Sequence, residues 1–256
     1  MPTERTVIFL FGHQDDEFGV YPLLDEYQRR GLRVRCAYLT DGAASGVTSA
    51  TRNAESVAVL AQLGVARQDI VFAGELLGIG DATLPLHLGV ATGWLRDWLD
   101  RANVEALHVP AWEGGHHDHD ALHALAVQVA SEQGLLGRTS QYALYHGARI
   151  VPPLFRTLSP LPENGPVART AISWPMRWRC IRYCLCYPSQ LRTWLALFPF
   201  ALWVYLARGV QTLQAVSLER TLQRPHDGPL YYERRKFFTY EQMQACLSAW
   251  RHTLNA

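Results

Sequence analysis

The sequence predicts an α/β protein with a Rossmann-like parallel sheet flanked by helices. Over the first 150 or so residues, short β-branched and aromatic runs alternate with longer amphipathic runs, as in repeated strand–helix units. Polar clusters follow three of the predicted strands, at the positions where open parallel sheets bind ligands. With right-handed crossovers and a switch point between strands one and four, the expected core order is 3-2-1-4-5.

Local patterns give the individual elements. The first strand, "TVIFLFG" (6–12), is almost wholly apolar, as expected for a strand covered on both faces. Gly31 and Gly64 mark the ends of the first two helices, and Pro22 falls within the first turns of the first helix. Strands are predicted at 6–12, 32–42, 69–74, 104–111 and 141–146, and helices at 17–31, 49–65, 88–102 and 118–134.

The second part of the chain has a different pattern. The segment "VPPLFRTLSPLPENGP" (151–166) is rich in proline, and the residues after it are rich in arginine and aromatic side chains without strand–helix alternation. We therefore expect a single domain over 1–256, with a Rossmann-like core over about 4–150 and a mainly helical extension over about 151–256. The extension is expected to shape the mouth of the pocket.

One apolar segment raises the question of a membrane. "TWLALFPFALWVYLA" (193–207) is shorter than the roughly 20 residues that a spanning helix needs, and Pro199 interrupts it. It predicts a buried helix or a lid over a pocket. Peripheral docking on a membrane surface is the alternative, since Trp194, Trp203 and Tyr205 suit an interface.

The composition limits the class of protein. A net charge of +1 over 256 residues gives no global field that favours nucleic acid. Five loosely spaced cysteines do not form a disulfide framework, and the first residues lack a secretory signal. These features predict a cytoplasmic protein, with contact at the inner membrane as the alternative; they do not indicate an oligomeric state.

Three polar clusters are expected to meet at one edge of the sheet. "GHQDDE" (12–17) follows strand one, "TDG" (40–42) follows strand two, and "WEGGHHDHD" (112–120) follows strand four. Strands one and four are neighbours at the switch point of the expected order, so topology brings the first and third clusters together.

The residue types in these clusters are those of a catalytic metal site. His13 and Asp16 can point at one ion from a single turn, and His119 can supply a third ligand, leaving a position open for water. His117 rivals His119 as that ligand. Asp15 is then a natural general base and His116 a natural general acid, whereas Asp120 and His123 are assigned structural roles and Glu17 that of a carboxylate at a helix start.

Taken together, these motifs resemble the PIG-L/LmbE-like family of zinc-dependent N-acetylglucosamine deacetylases. "GHQDDE" is similar to the family's A/G-H-P-D-D-E, and "GHHDH" (115–119) is similar to G-H-x-D-H. The intermediate pattern R-N-A-E-(x)7-L-G and a later Y-x-S-Q are matched at 52–64 and 187–190. The sequence departs from the first motif at Gln14, which replaces a proline and is expected to alter loop stiffness.

The resemblance implies a role for each residue. His13, Asp16 and His119 would hold Zn²⁺, which Fe²⁺ can replace, and Asp15 would take a proton from the attacking water. His116 would stabilise the tetrahedral intermediate or protonate the leaving amine, and Asp118 would orient a histidine. Arg52 and Asp81 would contact the sugar.

The implied activity is hydrolysis of the N-acetyl group of an N-acetylglucosamine-type amino sugar. The sugar would belong to a glycoconjugate, a lipid-linked sugar or a natural product, and the products would be acetate and a free amine. Cleavage of another N-acyl or thiol-conjugate substrate is the alternative. A nucleotide-binding module without activity is disfavoured, because strand one is followed by carboxylates rather than G-x-G-x-x-G.

Overall fold

The residues that the structure describes are organised around a seven-stranded sheet. The computed structural model describes residues 4–43, 46–151 and 153–254. The strands of this sheet are β1 (Arg5–Phe11), β2 (Arg33–Tyr38), β3 (Ile70–Phe72), β4 (Asn103–Pro110), β5 (Thr139–Tyr142), β8 (Val167–Ala171) and β9 (Val210–Ala215). A separate antiparallel pair consists of β6 (Tyr145–His146) and β7 (Arg156–Thr157).

Helices cover both faces of this sheet. Those of the core are α1 (Tyr21–Arg29), α2 (Ser49–Gln62), α3 (Ala73–Leu77), α4 (Leu88–Asp100) and α5 (His117–Glu132). Those of the extension are α6 (Trp174–Cys184), α7 (Leu191–Trp203), α8 (Tyr231–Arg234) and α9 (Tyr240–Leu254).

The predicted core topology is confirmed. Strands β1 to β5 run parallel, and β1 lies between β2 and β4, with Phe9 opposite both Cys36 and His108. The expectation of a mainly helical extension was incomplete, because β9 pairs antiparallel with β5 and β8 pairs antiparallel with β9. The order 3-2-1-4-5 therefore continues into two further strands from the second part of the chain.

The fifth strand ends earlier than the sequence predicts. Residues 141–146 were expected to form one strand, but β5 stops at Tyr142, and Tyr145 and His146 pair with Thr157 and Arg156 instead. The chain leaves the sheet here because Glu113 accepts hydrogen bonds from the backbone N–H groups of Leu144 and Tyr145, at 2.8 and 2.9 Å. This bend directs Tyr145 toward the predicted site.

Strand β1 is buried on both faces, as its apolar sequence predicts. Val7, Phe9 and Phe11 belong to the core on one side, and Ile8 and Leu10 belong to the core on the other. Helices α6 and α7 complete the first core, and α9 completes the second through the residues Met243, Leu247 and Trp250. The extension thus packs against both faces of the sheet.

The segment 193–207 is a packed helix with two different sides. Trp194, Leu197 and Ala201 are buried in the core, whereas Leu195 and Trp203 are 70% and 66% exposed. Pro199 lies inside α7 and has no backbone N–H to donate to the helix. A π-helical turn at Val204–Arg208 begins five residues later, directly after α7. In the part of the chain that is described, no helix has the length and apolarity needed to cross a membrane.

A buried histidine on β4 makes a pH-dependent contribution to stability. The imidazole of His108 lies between the hydroxyls of Ser140 (2.7 Å) and Tyr27 (3.1 Å) and stacks on Phe9. Burial lowers the pKa of His108 to about 3. Below the ordinary pKa of 6.5, the unfolded chain therefore binds a proton that the folded protein does not.

We predict that acid destabilises the wild type more than a His108→Gln variant, which lacks this titration. As the pH falls from 6.5 toward 4, the free energy of unfolding of the wild type, relative to the variant, should decrease by up to about 1.4 kcal/mol per pH unit. Urea unfolding at several pH values measures this difference. Parallel pH profiles for the two proteins would contradict the assignment.

Candidate metal centre and active site

The predicted clusters meet where β1 and β4 end. The chain leaves β1 through the turn that carries His13, Asp15 and Asp16, and a 3₁₀ helix follows at Asp16–Gly19. The third cluster precedes and begins α5, for which His116 is the N-cap residue. Gly12 permits the close approach, since a Cβ atom at this position would lie 2.7 Å from the ring of His119.

His13, Asp16 and His119 direct three ligand atoms toward one point. The Nδ1 atom of His13 lies 3.1 Å from Nε2 of His119, and that Nε2 lies 3.1 Å from Oδ2 of Asp16. All three side chains are buried, and the backbone N–H of His13 donates to the same carboxylate at 2.8 Å. Two imidazoles and a carboxylate in this arrangement fit a divalent metal ion.

The other ring nitrogen of His13 contacts two further carboxylates. Nε2 lies 3.0 Å from Oδ2 of Asp118 and 3.0 Å from Oδ1 of Asp81. Donation of the Nε2–H to these carboxylates leaves the lone pair of Nδ1 free for the His13–Asp16–His119 cluster. His13, Asp81, His116 and Asp118 also form a group of potential ligands, so His13 is shared by two arrangements.

The electrostatics of the site favour a cation. Four carboxylates, those of Asp15, Asp16, Asp81 and Asp118, surround the two arrangements. Although burial lowers the pKa of His13, the carboxylate of Asp81 and hydrogen bonds to Asp118 and Asp16 hold it well above the ordinary value. The carboxylates thus favour positive charge at this position, and a divalent cation held by the same residues would supply it.

His117 does not belong to the group of candidate metal ligands formed by His13, Asp16 and His119, which we call the metal-ligand cluster. Its Nε2 atom lies 2.9 Å from the carbonyl oxygen of Ala82, and its ring stacks on Phe238 with centroids 4.8 Å apart. His119, two residues further along α5, is the histidine that faces His13. The two histidines could not be distinguished from spacing alone, because the direction of each ring depends on how α5 packs.

Asp118 connects the site to the loop after α3. Its carboxylate accepts hydrogen bonds from the backbone N–H groups of Ala82 (2.7 Å) and Leu84 (3.0 Å) as well as bonding to His13. Asp118 is fully buried, so it contacts the loop and the imidazole rather than the cavity. Asp81, in the same loop, is partly exposed and lines the cavity.

Asp15 is held in a strained position beside the cluster. Its φ of 108° lies in the left-handed region, which non-glycine residues seldom adopt. The guanidinium of Arg52 donates to the carboxylate of Asp15 at 3.3 Å and to the carbonyls of Gln14 and Gly42 at 2.5 and 2.6 Å. Burial raises the pKa of Asp15 to about 8, against the opposing effect of Arg52.

Glu17 has a larger part in this turn than the sequence suggests. Its carboxylate is completely buried, accepts the backbone N–H of Asp15 at 2.8 Å, and also accepts the hydroxyl of Tyr38. Glu17 does lie in the first turn of the 3₁₀ helix, as predicted, but its bond to Asp15 stabilises the strained backbone. The sequence offered one signal for this role, namely that Glu17 is a third acidic residue directly after Asp15 and Asp16.

Gln14 connects the same turn to α2. Its side-chain amide donates to Asn53 at 2.6 Å and to the carbonyl of Asp41 at 3.2 Å. Gln14 thus anchors the loop through its side chain.

The predicted structural residues of α5 bond to nearby backbone. Asp120 accepts the N–H groups of Glu113 and Gly114, both at 3.1 Å, and His123 bonds to the carbonyl of Pro110 at 2.8 Å. Neither is among the residues that line the cavity beside the metal-ligand cluster.

An open cavity of about 120 Å³ lies directly on the cluster. Among its lining residues are the predicted His13, Asp15, Asp16, Arg52, Asp81 and His116. Five further residues that were not predicted as site residues also line it, namely Phe18, Tyr145, Gln190, Thr193 and Leu197. The motif "YPSQ" (187–190) was the available signal for Gln190. In the structure, Glu55 of α2 accepts hydrogen bonds from both the N–H and the hydroxyl of Ser189, and these bonds fix the turn that carries Gln190.

A second, larger cavity of about 350 Å³ adjoins the first. The two share His116, Tyr145, Thr193 and Leu197 as lining residues. The remaining lining is mainly aromatic and apolar, with one arginine, and consists of Gly115, Phe155, Ala196, Tyr231, Arg235 and Phe237. The cavity over the cluster is therefore lined mainly by polar side chains, and the adjoining cavity mainly by apolar ones.

Solved structures with this fold include several deacetylases. Teicoplanin deacetylase in a zinc-inhibited form aligns with 82% of this chain and 97% of its own, at 16% identity and a TM-score of 0.62. N,N'-diacetylchitobiose deacetylase from Pyrococcus horikoshii, complexed with an inhibitor, aligns with 82% of each chain at 17% identity and a TM-score of 0.57. A 4-carboxy-2-hydroxymuconate hydratase from Pseudomonas putida aligns with 83% of this chain and 96% of its own, at 16% identity and a TM-score of 0.51.

The fold and the cluster define a Rossmann-like α/β protein with a site that fits a divalent metal. Residues 8–130 match the sequence model of the family described as PIG-L: GlcNAc-PI de-N-acetylase. The matched region spans the motifs that contain His13 and His119. No functionally curated protein sequence matches the chain.

We predict that the two histidines of α5 differ in their effect on metal binding. His119→Gln should weaken Zn²⁺ binding by on the order of 100-fold or more, because a ligand matters at least as much as the groups that orient it. His117→Gln serves as the matched control and should bind Zn²⁺ within a few-fold of the wild type. Calorimetric titration of metal-free protein measures both affinities, and the reverse order would identify His117 as the ligand.

Proposed function

We propose that this protein is a divalent-metal-dependent N-deacetylase of amino sugars. The observation that carries the proposal is the cluster of His13, Asp16 and His119 with the carboxylate of Asp15 beside it on one cavity. The region that matches the PIG-L family model contains all four residues and supports the same activity. The deacetylases that share the fold provide further support.

His13, Asp16 and His119 would hold the ion, which we infer to be Zn²⁺ with Fe²⁺ as the alternative. When bound, such an ion polarises the acetamide carbonyl and makes a water molecule more acidic. Asp15 is positioned to accept the proton of that water as the oxygen attacks the carbonyl carbon. Asp15 can then transfer this proton to the leaving nitrogen.

His116 is assigned the stabilisation of the developing oxyanion. Its Nδ1 atom accepts the backbone N–H of Asp118 at 3.2 Å, so the proton of a neutral ring lies on Nε2. His116 lines both cavities, and an Nε2–H can donate to an oxygen that gains negative charge there. This favours the first of the two roles implied by the sequence, without a protonated imidazole in the resting enzyme.

The remaining residues have positioning and binding roles in this proposal. Asp118 fixes the tautomer of His13, and Arg52 holds the carboxylate of Asp15 in place. Arg52 and Asp81 both line the cavity, so each can also reach a sugar hydroxyl group. We assign these two residues to substrate binding.

The most direct test uses a panel of N-acyl substrates and the variant Asp15→Asn. The Zn²⁺-loaded wild type should release acetate from an N-acetylglucosamine derivative faster than it releases acids from other N-acyl compounds. Asp15→Asn should bind Zn²⁺ normally but lower turnover by about 10² to 10⁴-fold, because only the base is lost. Near-normal turnover in this variant would refute the role of Asp15, and preferred release of another acid would establish the alternative amidase.

We further propose that the sugar carries an apolar group, which occupies the 350 Å³ cavity. Phe237 lines this cavity and does not line the smaller one over the metal-ligand cluster. The wild type should therefore show a lower KM for an octyl than for a methyl glycoside of N-acetylglucosamine. Phe237→Ser should raise the KM of the octyl glycoside several-fold and leave that of the methyl glycoside unchanged.

The control for this experiment is Leu76→Ser, at an exposed leucine of α3 that lines neither cavity. This variant should not alter either KM. Equal KM values for the two glycosides in the wild type would show that the cavity does not bind the aglycone.

A further inference from the structure

Two helices of the extension present large apolar side chains to solvent. Exposed at helical spacing are Trp174 and Trp178 on α6 and Leu185 directly after this helix. On α7 the exposed side chains are Leu191, Leu195 and Trp203, which repeat at four and eight residues. Such regular exposure is unlike the scattered apolar residues of an ordinary surface.

The two exposed stripes lie on the same layer of the protein. Helices α6 and α7 contact each other, and their buried sides belong to the same core, that of Phe9 and Phe11. Their outer sides therefore both face away from that side of the sheet. We call these six exposed apolar residues, together with the exposed Arg182 and Arg208, the basic apolar face.

The charge of this region is distinct from that of the rest of the chain. Residues 164–218 contain six arginines and no aspartate or glutamate. The segment thus carries +6, whereas the remainder carries −5, the difference between this value and the net charge of +1. The positive charge is concentrated in the segment that also carries the exposed tryptophans.

We propose that the basic apolar face docks on an anionic lipid bilayer. Tryptophan and leucine insert at the boundary between headgroups and acyl chains, and arginine interacts with lipid phosphates at the same depth. The absence of acidic residues from 164–218 matches the negative potential of such a membrane. A protein partner or a second copy of this chain, whose own face is equally basic, fits these charges less well.

Docking in this orientation would place the cavities near the lipid. Thr193 and Leu197 of α7 line both cavities, and Ala196 lines the larger one, while Leu195 and Trp203 of the same helix belong to the basic apolar face. A substrate anchored in the bilayer could then enter from the membrane surface. The docking itself does not depend on the proposed activity, since binding is measured without substrate.

The test is flotation of the full-length protein with vesicles of phosphatidylcholine alone or with 30 mol% phosphatidylglycerol. The wild type should float with the anionic vesicles and not with the neutral ones, and 0.5 M salt should release it. The double variant Trp178→Ser/Trp203→Ser should bind the anionic vesicles at least about tenfold more weakly, because two interfacial anchors are lost.

The matched control is Leu76→Ser, which removes an equally exposed apolar side chain outside the basic apolar face. It should bind as the wild type does, and the unfolding temperatures of all variants show that the fold is retained. Failure of the wild type to bind anionic vesicles would overturn the proposal, as would unchanged binding by the double variant. Concentration-dependent dimerisation that the double variant abolishes, without vesicle binding, would instead identify a second copy as the occupant.

Discussion

The two ring nitrogens of His13 join the two halves of the site, and the rest of the arrangement depends on this imidazole. Nδ1 faces Asp16 and His119, and Nε2 faces Asp81 and Asp118. One side chain therefore connects the turn after β1, the start of α5 and the loop after α3. Buried carboxylates require nearby positive charge or hydrogen-bond donors, and the imidazole of His13 supplies this between the two groups of acids.

The sheet brings the residues of the site together, and the extension forms part of the cavity beside them. Parallel pairing of β1 with β4 places the ends of both strands side by side, which is the geometry of a switch point. The extension then adds β9 and β8 to the edge of the sheet and places α7 against the cavity. The polar floor of the site thus comes from the core, and its apolar wall comes largely from the second part of the chain.

Much of the core and of the site could be predicted from sequence, for identifiable reasons. The apolar run of β1 and the alternation of elements determine a doubly wound sheet, and the order of its first five strands followed from that pattern. Predictions were weaker where long-range contacts decide the outcome. The end of β5 depends on Glu113, and the two added strands depend on a sheet edge that the core has to form first.

The sequence by itself determined which residues gather at the site, since residue types and topology suffice to bring "GHQDDE" and "GHHDH" to neighbouring strand ends. Only the tertiary structure decided how each side chain is oriented. His119 rather than His117 faces His13, Glu17 supports the strained backbone of Asp15, and Arg52 is bonded to two carbonyls as well as to Asp15. The physical reason is that spacing along a chain limits where a side chain starts, whereas packing and hydrogen bonds with distant residues determine where its polar atoms point.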